Sequence, residues 1–158
     1  FDGKVPNADP ETAARPERAG AWAGAAGLDE LRRGVERAYE STRCDHALER
    51  IWEGVGEEAK SGLMQANKYI EETQPFKLVK EDKDAVGRIL YSLLESCRWY
   101  AWFIAPVMPG IANKIFEQLG IESAGELARG WNLALTWGGL KPGHELGEPA
   151  PLFPRIGE

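Results

Sequence analysis

Thiols and imidazoles are scarce in this chain. Cys44, Cys97, His46 and His144 are all it holds among 158 residues. No C-x-x-C pair occurs, and Cys44 with His46 supplies only two ligands, so no structural zinc site can be built from them. The cysteines read instead as small thiols, buried or half-buried. A run of roughly 18 apolar residues is also missing, which excludes a membrane-spanning helix. A basic excess is missing too: 19 Lys and Arg stand against 25 Asp and Glu, a net charge of −6. That argues against a non-specific nucleic-acid binder, which usually carries a strong basic excess. It leaves open the reading of a few unpaired bases by stacking and hydrogen bonding. No charged-then-apolar signal segment opens the chain, and a start at Phe1, in FDGKVP, reads as a cut within a longer protein.

Catalytic patterns are absent as well. There is no Gly-rich phosphate loop behind a strand, no G-x-S-x-G and no H-E-x-x-H. The carboxylate pairs Glu57/Glu58 and Glu71/Glu72 are adjacent in helical segments, so their side chains point apart and read as a solvated face. No catalytic residue, metal ligand or cofactor site is therefore assigned.

What the chain does have is helical periodicity and 43% hydrophobic residues, enough for one domain with a core. Residues 1–27, rich in Pro, Gly and Ala without a period, predict an irregular lead-in. A bundle is expected over 28–120 and a tail packed on it over 121–158. The fold class is all-α, with about four to five helices. Leu31, Val35, Ala38 and Tyr39 predict a first helix over 28–43, with Arg32, Arg33, Glu36 and Arg37 outward. Leu48, Ile51, Trp52, Val55, Ala59, Leu63, Ala66 and Ile70 predict one second helix of roughly 27 residues, about 40 Å long. Pro75 ends it. A third helix, capped by Asp82 or Asp84, runs to about Ile104. Its early outer face is charged (Lys83, Arg88, Glu95), and its later turns are aromatic (Trp99, Trp102, Phe103). A helix apolar all round is covered on both sides, so that half belongs at the centre of the domain or at a docking face. A fourth helix is expected from Gly110 to Leu119, closed by Gly120, and a short one over 123–129. Trp131, Trp137, Leu152 and Phe153 are expected to hold the tail to the bundle.

The junction of the second and third helices carries the chemistry. Asn67 to Lys80 reads NKYIEETQPFKLVK. It ends a helix, breaks at Pro75 and places the ring of Phe76 directly after the break, followed by Lys77 and Lys80. A ring on a short ordered turn suits base stacking. Asn67 and Glu71, four apart, share one helix face, and an Asn amide offers both donor and acceptor to a base edge. Lys77 and Lys80 suit loop phosphates. Tyr69 sits at the edge of the apolar stripe and reads as core. From the residues alone, Phe76 reads more readily as a buried anchor of the turn than as a stacking face.

This run resembles the N-(R/K)-Y-I-x-E-x-x-P-W-x-L-x-K signature of the anticodon-binding domain of methionyl-tRNA synthetases. FDGKVP at the start, ALERIW at 47–52, APVMPGIANKIFEQLG at 105–120 and WGGLKPGHELGEPAPLFPRI at 137–156 resemble further blocks of that family, in family order. The resemblance implies a helical domain that reads the CAU anticodon of a methionine tRNA, partnered by the catalytic domain of the parent chain, in the cytoplasm. It implies no membrane or DNA partner and no cofactor here, because ATP and methionine bind the catalytic domain. It assigns RNA contacts to Phe76, Asn67, Glu71, Lys77 and Lys80. The family's ring after Pro is usually Trp; Phe76 keeps a π face but lacks the indole N–H. The family's other anticodon readers lie on a helix upstream of Phe1. Two alternatives stand beside this: the same fold in another class I synthetase, and a helical scaffold without RNA binding, which expects Phe76 to be buried.

Overall fold

The computed structural model describes residues 1–15, 22, 24–54 and 62–154. In chain order the helices are α1 (Pro10–Ala13), α2 (Gly24–Glu40), α3 (Cys44–Glu53), α4 (Leu63–Thr73), α5 (Pro75–Leu78), α6 (Lys83–Ile104), α7 (Pro109–Gln118), α8 (Ser123–Ala128) and α9 (Trp131–Ala134). Among the described residues there is no strand, only an isolated bridge between Lys4 and Glu145. The all-α expectation holds, and the five longest helices are α2, α3, α4, α6 and α7.

Helix α6 is the axis. Asp82 caps it, its carboxylate accepting from the Ala85 amide at 2.9 Å. From Trp99 to Ile104 every residue is buried. Each such aromatic contributes about 2 to 3 kcal/mol of transfer free energy. Trp102 meets Phe116 of α7 and Trp131 of α9 edge-on, with ring centroids 6.5 and 6.3 Å away. Leu28, Leu31, Val35 and Ala38 form the buried stripe of α2 and join Ala47 and Ile51 of α3 in the same core. A smaller cluster of Val5, Ala8, Ala13, Tyr91 and Leu140 pins the start of the chain and the tail to one side of α6. There the Tyr91 hydroxyl donates to the Leu140 carbonyl at 2.6 Å, and the Trp137 indole donates to the Pro10 carbonyl at 2.8 Å.

The structure corrects several expectations. The single long second helix is two helices. Gly54 has φ of 94° and closes α3, its amide donating to the Arg50 carbonyl at 2.7 Å. A side chain at Gly62 would collide with the backbone of Gly54 and Glu53, so α4 starts packed against the end of α3. Val55 and Ala59 lie outside the described residues. The lead-in carries α1, and α2 begins at Gly24, ahead of the expected start at 28. Phe153, expected to pack, is 64% exposed. Both cysteines are exposed. The Cys97 thiol opens into an apolar groove of about 490 Å³ whose walls include Trp52, Leu94, Ile111, Ile115 and Phe153. Loss of hydration there pushes the thiol up to about 11.

Glu95, expected on a wet face, is fully buried. The reason is Arg98, also fully buried and one turn further along α6. Its guanidinium donates to both Glu95 oxygens (3.1 and 2.6 Å), to Glu126 Oε1 of α8 (2.9 Å), and to the carbonyls of Ala134 (2.6 Å) and Thr136 (2.8 Å). Glu95 accepts in turn from the amides of Gly139 (3.0 Å) and Leu140 (2.9 Å). The tail is thus fastened to α6 by a satisfied ionic knot. No helix among the described residues is long and apolar enough to cross a membrane.

Candidate nucleic-acid interface

The turn at 73–76 is built from both sides. On the α4 side Thr73 is buried and its hydroxyl donates to the Tyr69 carbonyl at 2.7 Å. Tyr69 is itself 1% exposed, its ring tilted against Trp22 at 5.2 Å, so the inner face of α4 is fixed to the core. Gln74 then takes a left-handed conformation, φ 44° and ψ 58°, closing α4 and opening α5 at once. Its amide donates to the Ile70 carbonyl at 3.0 Å, and its carbonyl accepts from Lys77 and Leu78 at 2.8 and 3.1 Å. Pro75 occupies the first position of α5, where no amide hydrogen is needed, and it is buried. On the far side Leu78 packs against the core and its carbonyl accepts from the Asp82 amide at 2.9 Å, directly at the α6 cap.

Phe76 projects from this fixed turn with 66% of its surface exposed. The buried-anchor reading of Phe76 is therefore wrong; Pro75 and Leu78 are the anchors. Ile70 and Val79 are exposed as well. The Lys77 ammonium lies 5.9 Å from the Phe76 ring centroid, so ring and cation form one unit. Asn67, Glu71 and Lys80 are all exposed, Asn67 and Glu71 on the outer face of α4 and Lys80 just beyond α5. Lys68 pairs with Glu72 at 3.7 Å on the same outer face. Over 68–81 three lysines are balanced by three glutamates. The site therefore offers stacking and hydrogen-bonding groups without a basic field. Beside the ring is a cup of about 130 Å³ lined by Glu72, Thr73, Gln74, Lys77, Leu78 and Glu81. The sequence pattern did not single out Gln74 or this cup, because a left-handed residue other than Gly leaves no compositional sign.

No group of three or more His, Cys, Asp or Glu side chains converges as a metal site among the described residues. The exposed Phe76 also removes the observation that a scaffold without RNA binding requires.

Residues 37–158 match the family model described as the anticodon binding domain of methionyl tRNA ligase. The chain is 38% identical over 124 residues to a methionine–tRNA ligase of Caldanaerobacter subterraneus subsp. tengcongensis, covering 77% of this chain and 18% of that protein. A methionine–tRNA ligase of Fusobacterium nucleatum is 36% identical over 124 residues, with the same coverage of 77% and 18%. Among solved structures, the Mycobacterium tuberculosis methionyl-tRNA synthetase bound by methionyl-adenylate superposes with a TM-score of 0.71 at 30% identity, over 97% of this chain and 27% of that one. The chain thus spans about a fifth of the length of these curated relatives.

Proposed function

As the chain belongs to the family of anticodon-binding domains of methionyl tRNA ligases, we propose that it holds the anticodon loop of a methionine tRNA and reads CAU. The parent enzyme then joins methionine to that tRNA with ATP in the cytoplasm. ATP and methionine act at the parent's catalytic domain; the part played here is positional. Docking the anticodon end fixes where the acceptor end lies, which converts a search in solution into an oriented encounter.

The observation that carries this reading is the exposed ring of Phe76 on a turn held rigid by Pro75 and Leu78. Unpaired loop bases are recognised by aromatic stacking and by hydrogen bonds to their edges. Phe76 supplies the stacking face. Asn67 and Glu71 supply polar groups on the neighbouring helix face, and Lys77 and Lys80 meet loop phosphates. The test is a titration of the chain with a methionine tRNA and with the same tRNA carrying a changed anticodon, at one fixed salt concentration. Tighter binding of the CAU form supports the reading, and equal affinity for both overturns it.

A further inference from the structure

We propose that Gln74 is a base-reading residue: its side-chain amide recognises the edge of an unpaired adenine that enters the cup beside Phe76. This rests on the anticodon reading above and extends it to a residue that neither the family pattern nor the sequence singled out.

Three observations converge. First, Gln74 holds a left-handed backbone, φ 44° and ψ 58°, which a residue with a side chain adopts at a cost. A left-handed residue commonly closes a helix, and that residue is usually Gly and sometimes Asn. Glycine or asparagine would meet the backbone need more easily, so the turn alone does not explain a glutamine. Second, the backbone of Gln74 is fully engaged: its amide is bonded to Ile70 and its carbonyl to Lys77 and Leu78. Its side-chain amide, by contrast, makes no hydrogen bond among the described residues. Thr73, next to it, has its hydroxyl committed to Tyr69. Third, Gln74 lines the cup of about 130 Å³. That is the volume of roughly four liquid waters at about 30 Å³ each, room for a ring edge and too little for a stacked pair.

The chemistry selects the ligand. A carboxamide presents one acceptor and two donor hydrogens in a plane. Adenine presents an amino donor beside a ring-nitrogen acceptor, the edge that Asn and Gln read in bidentate fashion. Lys77 both lines the cup and lies over the Phe76 ring. Leu78 gives the cup an apolar wall.

The experiment compares the chain with its Gln74→Gly, Gln74→Asn and Phe76→Ala variants. Each is titrated with a CAU tRNA and with the same tRNA carrying purine or 7-deaza-adenine in place of the anticodon adenine. Gln74→Gly relieves the left-handed backbone, so it folds with an undiminished melting temperature while removing the amide. The parent chain is expected to prefer adenine over either analogue by about 5- to 100-fold. In Gln74→Gly this preference collapses to near unity, and Gln74→Asn, which keeps an amide and tolerates the backbone, restores part of it. If Gln74→Gly keeps the full preference while Phe76→Ala abolishes binding, the Gln74 inference is overturned and the ring reading stands. If neither variant alters tRNA binding, both are overturned.

Discussion

Pro75 is buried and Phe76, its neighbour in the chain, is 66% exposed. One residue of the pair faces the core and the other faces solvent. The prolyl ring fixes its own φ and needs no donor at the first position of α5, so the backbone that carries the phenyl ring is held in place. A turn whose backbone is already ordered spares binding the cost of ordering it.

Phe76→Ala should therefore separate binding from stability. Away from core contacts a surface substitution stays within about 0.5 kcal/mol, so the thermal midpoint should hardly move. Affinity for the CAU tRNA should fall by roughly 1 to 3 kcal/mol, the value of one base–aromatic stack. Pro75→Ala should lower stability by about 0.4 to 1 kcal/mol through a freer unfolded chain. Thermal melts and titrations on the same preparations check both.

Salt dependence should be shallow. Lys77 and Lys80 are the proposed phosphate contacts, and the segment around them is charge-balanced. Single-stranded contacts give a slope of about −0.7 each, so log K against log salt should fall with a slope of roughly −1.4. A slope steeper than about −4 would mean that a basic surface outside this turn dominates.

Arg98→Met should be the most damaging single change away from the turn. It leaves Glu95, wholly buried, without its counter-charge. Removing one partner of a buried ion pair costs about 3 to 5 kcal/mol. Adding Glu95→Gln should recover part of that loss, since the buried charge disappears while an oxygen remains for the amides of Gly139 and Leu140. Urea unfolding of the parent, both single variants and the double variant measures the coupling directly.

The same knot sets an acid limit. Burial alone would raise the Glu126 carboxyl, but donation from Arg129 and Trp102, and the charge and donation of Arg98, hold it below its ordinary 4.5. A carboxylate depressed in the folded state stabilises the fold above its unfolded value. That contribution is lost as pH falls below about 4.5 and through the folded value. Glu126→Gln should thus lower the melting temperature at pH 7, and the gap to the parent should narrow steadily from pH 4.5 to pH 3. A gap that widens on acidification would contradict the assignment.

Much of this fold is written in local pattern. Asp82 announces the α6 cap. The all-round apolar half of α6, from Trp99 onward, proves to be the centre of the core, and Pro109 and Gly120 bracket α7. The break between α3 and α4 is masked in the sequence because Leu63, Ala66 and Ile70 carry on the period of Leu48 and Ile51 across it. The positive φ of Gly54 and the packing of Gly62 on it distinguish two helices from one. Arg98 and Glu95 look like ordinary polar residues on a helix. Their partners, Glu126 and the carbonyls of Ala134 and Thr136, lie 28 to 38 residues away, beyond any local signal. At the candidate site the ring and its lysines were legible from the Pro–Phe break. The exposure of the ring and the left-handed Gln74 depend on how α4 and α6 are fixed to the core, and no spacing rule encodes that.

The proposed anticodon contact depends on the π face of one ring, and a substitution series at position 76 tests it most directly. Phe76→Trp, Phe76→Leu and Phe76→Ala would be titrated with the CAU tRNA at a single salt concentration beside the parent chain. Stacking predicts that Trp binds at least as tightly as Phe, and that Leu, apolar but without a π face, falls with Ala by roughly 1 kcal/mol or more. Equal affinity across all four side chains would contradict the claim that this turn holds an anticodon base.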